Sequence, residues 1–226
     1  VNTITCIIPA YNEGPRIAAV ARVAAAHPLL SEVIVVDDGS HDDTAKIAAG
    51  VAGVRLLRQP RNGGKTAALA RGLAEATGAH VLLLDADLTG LTEAHIGALI
   101  APVSQGRSAI SISLRGNAPG LWRRIGLDYI SGERVLPRSL LLPHLTHLPT
   151  LPAFGFEVFL NGLLIDAGLP IAVVPWPDVA SPMKHSKYGL WRGLRADAGM
   201  ITDMLRTHGP LTLLRQIATM HRLRID

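Results

Sequence analysis

Apolar runs and mixed segments follow one another along the first half of the chain with the lengths of whole structural elements. "TITCIIP" (3–9) is a short β-rich run halted by Pro9, and in "YNEGPRIAAVARVAAAHP" residues Ile17, Val20, Ala21 and Ala24 recur at helical spacing until Pro28. "EVIVVDD" (32–38) is a continuous β-branched run of the kind buried on both faces, followed by Gly-Ser and the helical "HDDTAKIAAGVA". "VRLLRQP" repeats the strand signal, "RNGGKTAALARGLAEATG" reads as a glycine turn opening a helix, and "HVLLLDADL" is another buried strand ending on acids. The alternation predicts an α/β fold: a mostly parallel, Rossmann-like sheet with helices on both faces.

Beyond residue 105 the pattern loosens. "SAISISL" reads as a strand, "RGNAPGLWRRIGLDYISGERVL" as a loop and helix, and proline-rich "LLPHLTHLPTLPAFGFE" as a connecting loop. A helix over 157–167, the strand "PIAVVP", a further loop and C-terminal helices complete the expectation. The chain then divides into three parts: 1–115 and 116–190 as two halves of one domain, and 191–226 as a helical appendage. In that tail Leu213, Leu214, Ile217, Met220 and Leu223 share helical spacing, which suits packing on the core or lying on an anionic membrane.

Charge sharpens the picture of the tail. Residues 184–226 hold eight Lys and Arg against three Asp, a net +5, while the whole chain carries +4. Such a basic end is a solvated face or meets phosphates on a ligand or membrane. Aromatic residues make up only 4% of the chain, so Leu, Ile, Val and Ala must build the core, and the lone Cys6 excludes an internal disulfide. No apolar stretch reaches the roughly 18 residues of a spanning helix, and the first residues lack a charged-then-apolar leader. The expected setting is cytoplasmic, soluble or peripheral to the inner face of the membrane, with no nucleic-acid partner.

Open sheets of this type bind ligands at the carboxyl ends of their strands, and the acids sit there. Asp85 and Asp87 flank Ala86; at an extended terminus positions i and i+2 point the same way, so two carboxylates can share a divalent cation with phosphate oxygens. The same residues also suit a helix N-cap. Asp37-Asp38-Gly39-Ser40 can form a tight turn and cap, or one acid can accept from a base N–H. In "RNGGK", glycine backbone admits a close ligand and Lys65 at a helix start can meet a carbonyl or phosphate, or simply be solvated.

The ordered set "PAYNE", "VVDDGS", "RNGGK" and "LLLDADL" closely resembles the family 2 glycosyltransferases of the GT-A fold, which transfer sugar from a nucleotide diphosphosugar. The resemblance implies that Pro9, Ala10, Tyr11 and Glu13 line the base and ribose pocket, that Asp38 reads the base, and that Asn62, Lys65 and Asp85 also contact the nucleotide. It implies that Asp85 and Asp87 hold Mg²⁺ or Mn²⁺, with Asp87 counted among the catalytic residues. In the second half, "ISGERVLPRSLL", "FGFEVFLNGLLIDAG" and "SPMKHSKYGLWRGLRAD" resemble the single-domain branch of polyprenyl-phosphate sugar synthases and glucosyl-3-phosphoglycerate synthase-like enzymes. There the S-G-E-R segment helps form the acceptor side and Glu157 becomes the candidate general base; a helix N-terminal acid favoured by the macrodipole is the other reading of Glu157.

One departure stands out. Relatives often carry a metal-completing His where this chain has Ser181, and His185 is the candidate substitute. The expected activity is metal-dependent, inverting transfer of a hexose to a lipid phosphate or small phosphorylated metabolite; the alternative is a degenerate, noncatalytic nucleotide-sugar-binding protein. A homodimer and a peripheral membrane contact are compatible partners. A phosphoacceptor signalling domain fits poorly, because a whole strand-helix unit precedes Asp37 and no Lys-Pro dipeptide is present.

Overall fold

The structure, a computed structural model, describes residues 3–151, 155–181 and 209–225. Its first half alternates as the pattern predicts: β1 (Ile4–Ala10), α1 (Gly14–Ala26), β2 (Glu32–Asp37), α2 (Thr44–Ala49), β3 (Val54–Arg58), α3 (Lys65–Glu75) and β4 (His80–Leu83). There follow α4 (Glu93–Ser104), β5 (Ile110–Arg115), α5 (Gly120–Ile125), β6 (Arg134–Pro137), α6 (Gly155–Asp166), β7 (Ile171–Trp176), α7 (Pro210–Leu223) and β8 (Arg224–Ile225). All strands join one sheet in the order β3-β2-β1-β4-β6-β5-β7-β8.

The sheet is parallel except at β6, which runs antiparallel to β4 and β5. Continuous apolar strands arise because both faces are covered. From β1, Ile7 joins a layer with Leu69 and Leu73 of α3, Leu160 and Leu164 of α6, and Met220 of α7. Cys6 and Ile8 join the opposite layer with Ile17 and Val20 of α1 and Ile96, Leu99 and Ile100 of α4. Each such large side chain, once fully buried, contributes about 1.5–3 kcal/mol.

Three segments differ from the sequence reading. Arg134–Pro137, expected within a loop and helix, is the central strand β6; it holds only two consecutive apolar residues, Val135 and Leu136, between Arg134 and Pro137, too few to declare a buried strand. The proline-rich stretch expected as plain loop contains two 3₁₀ turns, at Leu142–His144 and Leu148–Thr150, and a third, at Arg138–Leu140, comes just before it. Helix α4 opens on a capping box in which the Thr92 side chain accepts from the His95 backbone and the His95 ring meets the Thr92 backbone N–H. That box lacks the usual Glu or Gln, so its sequence signature is muted.

Helix α7 resolves in favour of packing along one face: Leu213 and Met220 are buried, and Ile217 and Leu223 lean on the same core. Leu214, expected on that stripe, is instead 63% exposed, as is Leu211 at 70%. Among the described residues no helix is long and apolar enough to cross a membrane.

Candidate active site

The strand order reverses direction at β1, whose neighbours are β2 on one side and β4 on the other. A crevice opens outside the carboxyl ends of the strands at such a point. It is a cleft of about 330 Å³ lined by Pro9, Ala10, Tyr11, Glu13, Asp38, Asn62, Gly64, Lys65, Ala68, Asp85, Ala86 and Asp87. Every residue that the resemblance assigned to the nucleotide is on this lining, together with Asp87.

The turns that form the cleft are tied to one another. Asn12, with a left-handed φ of 54°, donates its backbone N–H to Ser40 Oγ at 3.0 Å, and its side-chain oxygen accepts from the His41 N–H at 2.9 Å. Glu13 N donates to Thr44 Oγ1 at 2.8 Å. Gly39 has φ +70°, and a Cβ there would lie 2.6 Å from the Arg61 carbonyl carbon, so the β2 turn abuts the β3 turn through a bare backbone. Tyr11 stands 41% exposed at the rim, edge-on to His41.

The two acids that end β2 divide their tasks. Asp37 is fully buried; its Oδ1 accepts from Ser40 N at 3.3 Å and its Oδ2 lies 3.6 Å from Arg58 Nε. Asp38 accepts from Gln59 Nε2 and Gly63 N on one oxygen and from Gly64 N on the other, each at 2.8 Å. Asp38 thereby fixes the turn that opens α3 while lining the cleft. Burial pushes its carboxyl above the usual aspartate range, against the pull of the two glycine N–H groups. Asn62 also accepts from Gly64 N, at 3.1 Å.

β4 ends at Leu83, and Ala86 and Asp87 lie in a turn beyond it. The alternation of an extended strand therefore does not explain how Asp85 and Asp87 reach one cleft; the turn does. Lys65 Nζ sits 2.8 Å from Asp85 Oδ1 and 3.0 Å from Glu157 Oε1. Burial opposes charge on this lysine, but the two carboxylates together raise its pKa and hold it as an ammonium. Glu157, in the first turn of α6, is 7% exposed. Gly132 closes over the group: a Cβ there would fall 2.8 Å from Asp85 Oδ1 and 2.9 Å from Lys65 Nζ.

The rest of the S-G-E-R segment is not at a surface. Ser131, Glu133 and Arg134 are fully buried, and the backbone of Gly132 packs on the Asp85–Lys65 pair. Glu133 Oε2 accepts from Ser113 Oγ at 2.8 Å and Ser131 Oγ at 2.9 Å. Arg134 donates to the Ser131 and Tyr129 carbonyls and to Asn161 Oδ1, and burial lowers its pKa although Glu157 and Asp128 oppose that. Arg115, at the end of β5, reaches Asp128 and Glu133 at 3.5 Å each and donates to Ser181 Oγ at 2.5 Å. Sequence reasoning passed over Arg115 and Asp128, whose only signals are an arginine closing a strand and an isolated acid.

Ser181 is thus engaged with Arg115, and its carbonyl accepts from Asn117 Nδ2 at 2.7 Å. His185 lies outside the described residues. Among the described residues no three His, Cys, Asp or Glu side chains cluster to hold a metal on protein ligands alone. Two cleft carboxylates, Asp85 and Asp87, still fit a hard cation that takes its remaining ligands from phosphate and water.

The profile of glycosyl transferase family 2 matches residues 5–159. The chain belongs to this family. It is 42% identical over 96 residues to a dolichyl-phosphate beta-glucosyltransferase of Trichomonas vaginalis, covering 37% of this chain and 28% of that protein. With glucosyl-3-phosphoglycerate synthase of Mycobacterium tuberculosis it shares 30% identity over 205 residues, 73% of this chain and 60% of that one. A crystal structure of the mycobacterial synthase with Mn²⁺, UDP and glucosyl-3-phosphoglycerate superposes with a TM-score of 0.71 at 27% identity, covering 96% of this chain and 80% of that chain. The family 2 chain therefore has the GT-A fold, and it spans less than two thirds of the length of these curated relatives, 28% of one and 60% of the other.

Proposed function

We propose that this chain is a metal-dependent glycosyltransferase that moves a sugar from a UDP-sugar to a phosphate-bearing acceptor. The observation that carries the reading is the charge of the cleft: Glu13, Asp38, Asp85 and Asp87 line it with Lys65 as the one basic residue in that lining. A diphosphate entering so acidic a cleft needs a cation to meet it, and Asp85 and Asp87 are the residues that would hold Mg²⁺ or Mn²⁺. Bound there, the ion neutralises charge on the departing diphosphate. Tyr11 at the rim and Asp38 beneath offer a face and an acceptor for the base, and the mycobacterial synthase, crystallised with Mn²⁺ and UDP, supports uridine.

On the other side of Lys65, Glu157 is the group that would receive the acceptor's proton. The acceptor oxygen forms a bond to the anomeric carbon as the bond from that carbon to the diphosphate oxygen breaks. The proton of an acceptor hydroxyl passes to Glu157, and the nucleoside diphosphate leaves. Single displacement inverts the anomeric centre. A phosphate-bearing acceptor, lipid or small metabolite, is supported by the activities for which the relatives are named.

Thermal denaturation with UDP-, GDP- and dTDP-glucose, each with and without Mn²⁺, tests the donor. A true donor at 100 times its Kd stabilises by about 2.7 kcal/mol, and D87A abolishes the Mn²⁺-dependent part. A shift that is equal for all nucleotides and survives D87A overturns the reading. The engagement of Ser181 by Arg115 favours one competitor, a noncatalytic nucleotide-sugar binder. In that case donor and Mn²⁺ stabilise the protein but no UDP is released with either 3-phosphoglycerate or a polyprenyl phosphate.

A further inference from the structure

A cation already sits against Asp85. The Lys65 ammonium is 2.8 Å from Asp85 Oδ1, and the backbone of Gly132 packs so closely on both groups that even a methyl would overlap them. A divalent ion at a carboxylate oxygen approaches to about 2.0–2.2 Å. It cannot take Asp85 Oδ1 from the cleft side while the ammonium stays there without placing two cations side by side. The ion and the ammonium therefore compete for the same oxygen of Asp85.

The second contact of the ammonium gives it somewhere to stay. Glu157 Oε1, 3.0 Å from Nζ, belongs to a different element, the start of α6, and is nearly buried. An ammonium has three N–H donors, so Lys65 can release Asp85 and remain paired to Glu157. It then faces the negative charge that enters with the ion. The charged groups around this exchange include Asp85 after β4, Glu157 on α6, the Arg134 guanidinium on β6, which interacts with Glu157, and Arg115 on β5 and the buried Glu133, which both interact with Asp85.

We infer that Lys65 is a built-in competitor for the divalent ion at Asp85, with Glu157 as the carboxylate that retains it, so that free metal binds poorly and metal bound to a nucleotide diphosphate binds well. The inference rests on the proposed role of Asp85 and Asp87 as metal-holding residues. It assigns Lys65 and Glu157 a task apart from base contact and proton removal: they make metal entry depend on the diphosphate. A diphosphate offers the displaced ammonium a new partner and brings its own ligands to the ion, whereas the bare ion offers neither.

Electron paramagnetic resonance titration of Mn²⁺ into the full chain, with and without UDP, reads this directly and requires no turnover. Without UDP, K65M and K65Q bind Mn²⁺ at least tenfold more tightly than wild type, and K65R, which keeps the charge, does not. R61Q removes an exposed positive charge from the neighbouring turn and gains less than threefold, which separates occupation of Asp85 from a general change of field. With saturating UDP the advantage of the two neutral variants disappears. K65Q keeps an N–H donor for Asp85 and carries the comparison if K65M fails to fold. Unchanged or weaker Mn²⁺ affinity in the neutral variants, or an equal gain in R61Q, overturns the inference while leaving the metal-dependent reading intact. Absence of Mn²⁺ binding by wild type even with UDP, or undiminished binding by D87A, overturns that reading and the inference with it.

Discussion

At the carboxyl ends of β1 to β4, charged side chains stand on a cleft and are held there by backbone turns; in the segment 128–134, equally polar side chains are sealed away from solvent. Asp38, Lys65, Asp85 and Asp87 line open space. Asp128, Ser131, Glu133 and Arg134 are fully buried and bond to one another, to carbonyls or to Arg115. The difference lies in strand direction. A parallel strand delivers its carboxyl end to the crevice, whereas antiparallel β6 begins beside that crevice and carries its first residues inward between β4 and β5. A motif of acids, serine and arginine can thus line an open cleft in one place and be scaffold in the other.

The contrast breaks most visibly at Arg115. R115A leaves Asp128 and Glu133 without their shared cation, and removing one partner from a buried charge group costs about 3–5 kcal/mol; urea denaturation measures it. A loss below about 1 kcal/mol, the scale of an exposed ion pair, would mean that the buried side is as tolerant as the open one. M220A tests the packing of α7 over the same side and is expected to cost about 2–5 kcal/mol, while L214A, at an exposed position, stays within about 0.5 kcal/mol. Equal effects of the two would remove the assignment of faces on α7.

On the open side, G39A forces a left-handed φ on a residue with a Cβ and presses it into the Arg61 backbone. Strain of this kind costs about 1–3 kcal/mol, and the displaced β3 turn also weakens UDP binding by calorimetry. Unimpaired nucleotide affinity in a destabilised G39A would uncouple the two turns. The smallest effect is a pH dependence. Burial, outweighing Arg115, raises the Asp128 carboxyl above its ordinary value of 3.8. A group raised on folding contributes stability that is present below its unfolded pKa and lost as pH rises through the folded value. The stability of D128N relative to wild type should therefore increase from about pH 4 upward, and a flat or falling difference would contradict the raised pKa.

The sequence disclosed the open side well because its signals are local. Runs such as "EVIVVDD" and "HVLLLDADL" declare buried strands, their acids mark the ends, and turn residues come at once after them. The buried side is legible only in three dimensions. Arg134 reads as a polar residue in a loop until β6 pairs with both neighbours, and Arg115 meets Asp128 and Glu133 only after the sheet closes. Even within the cleft, nothing local foretells that Lys65 on α3 would bridge to Glu157 on α6, 92 positions away. The helical stripe on α7 is visible in the sequence, but which leucines it buries depends on where α6 lies.

The short pairing of β8 with β7 bears on how the molecule avoids sticking to itself. β7 is six residues long, and among the described residues Arg224 and Ile225 pair with its outer side at its first two positions. The opposite border is β3, where Arg55 and Arg58 point outward among partly buried neighbours. Charged side chains on one outer strand and a two-residue cover on the other are both devices that discourage sheets from adding strands from a second molecule. Pro175, which lacks a backbone N–H, interrupts donation farther along β7, beyond its pairing with β8. Solubility at high concentration would then depend on a handful of border residues far from the chemistry, with the two residues of β8 guarding what the proline does not.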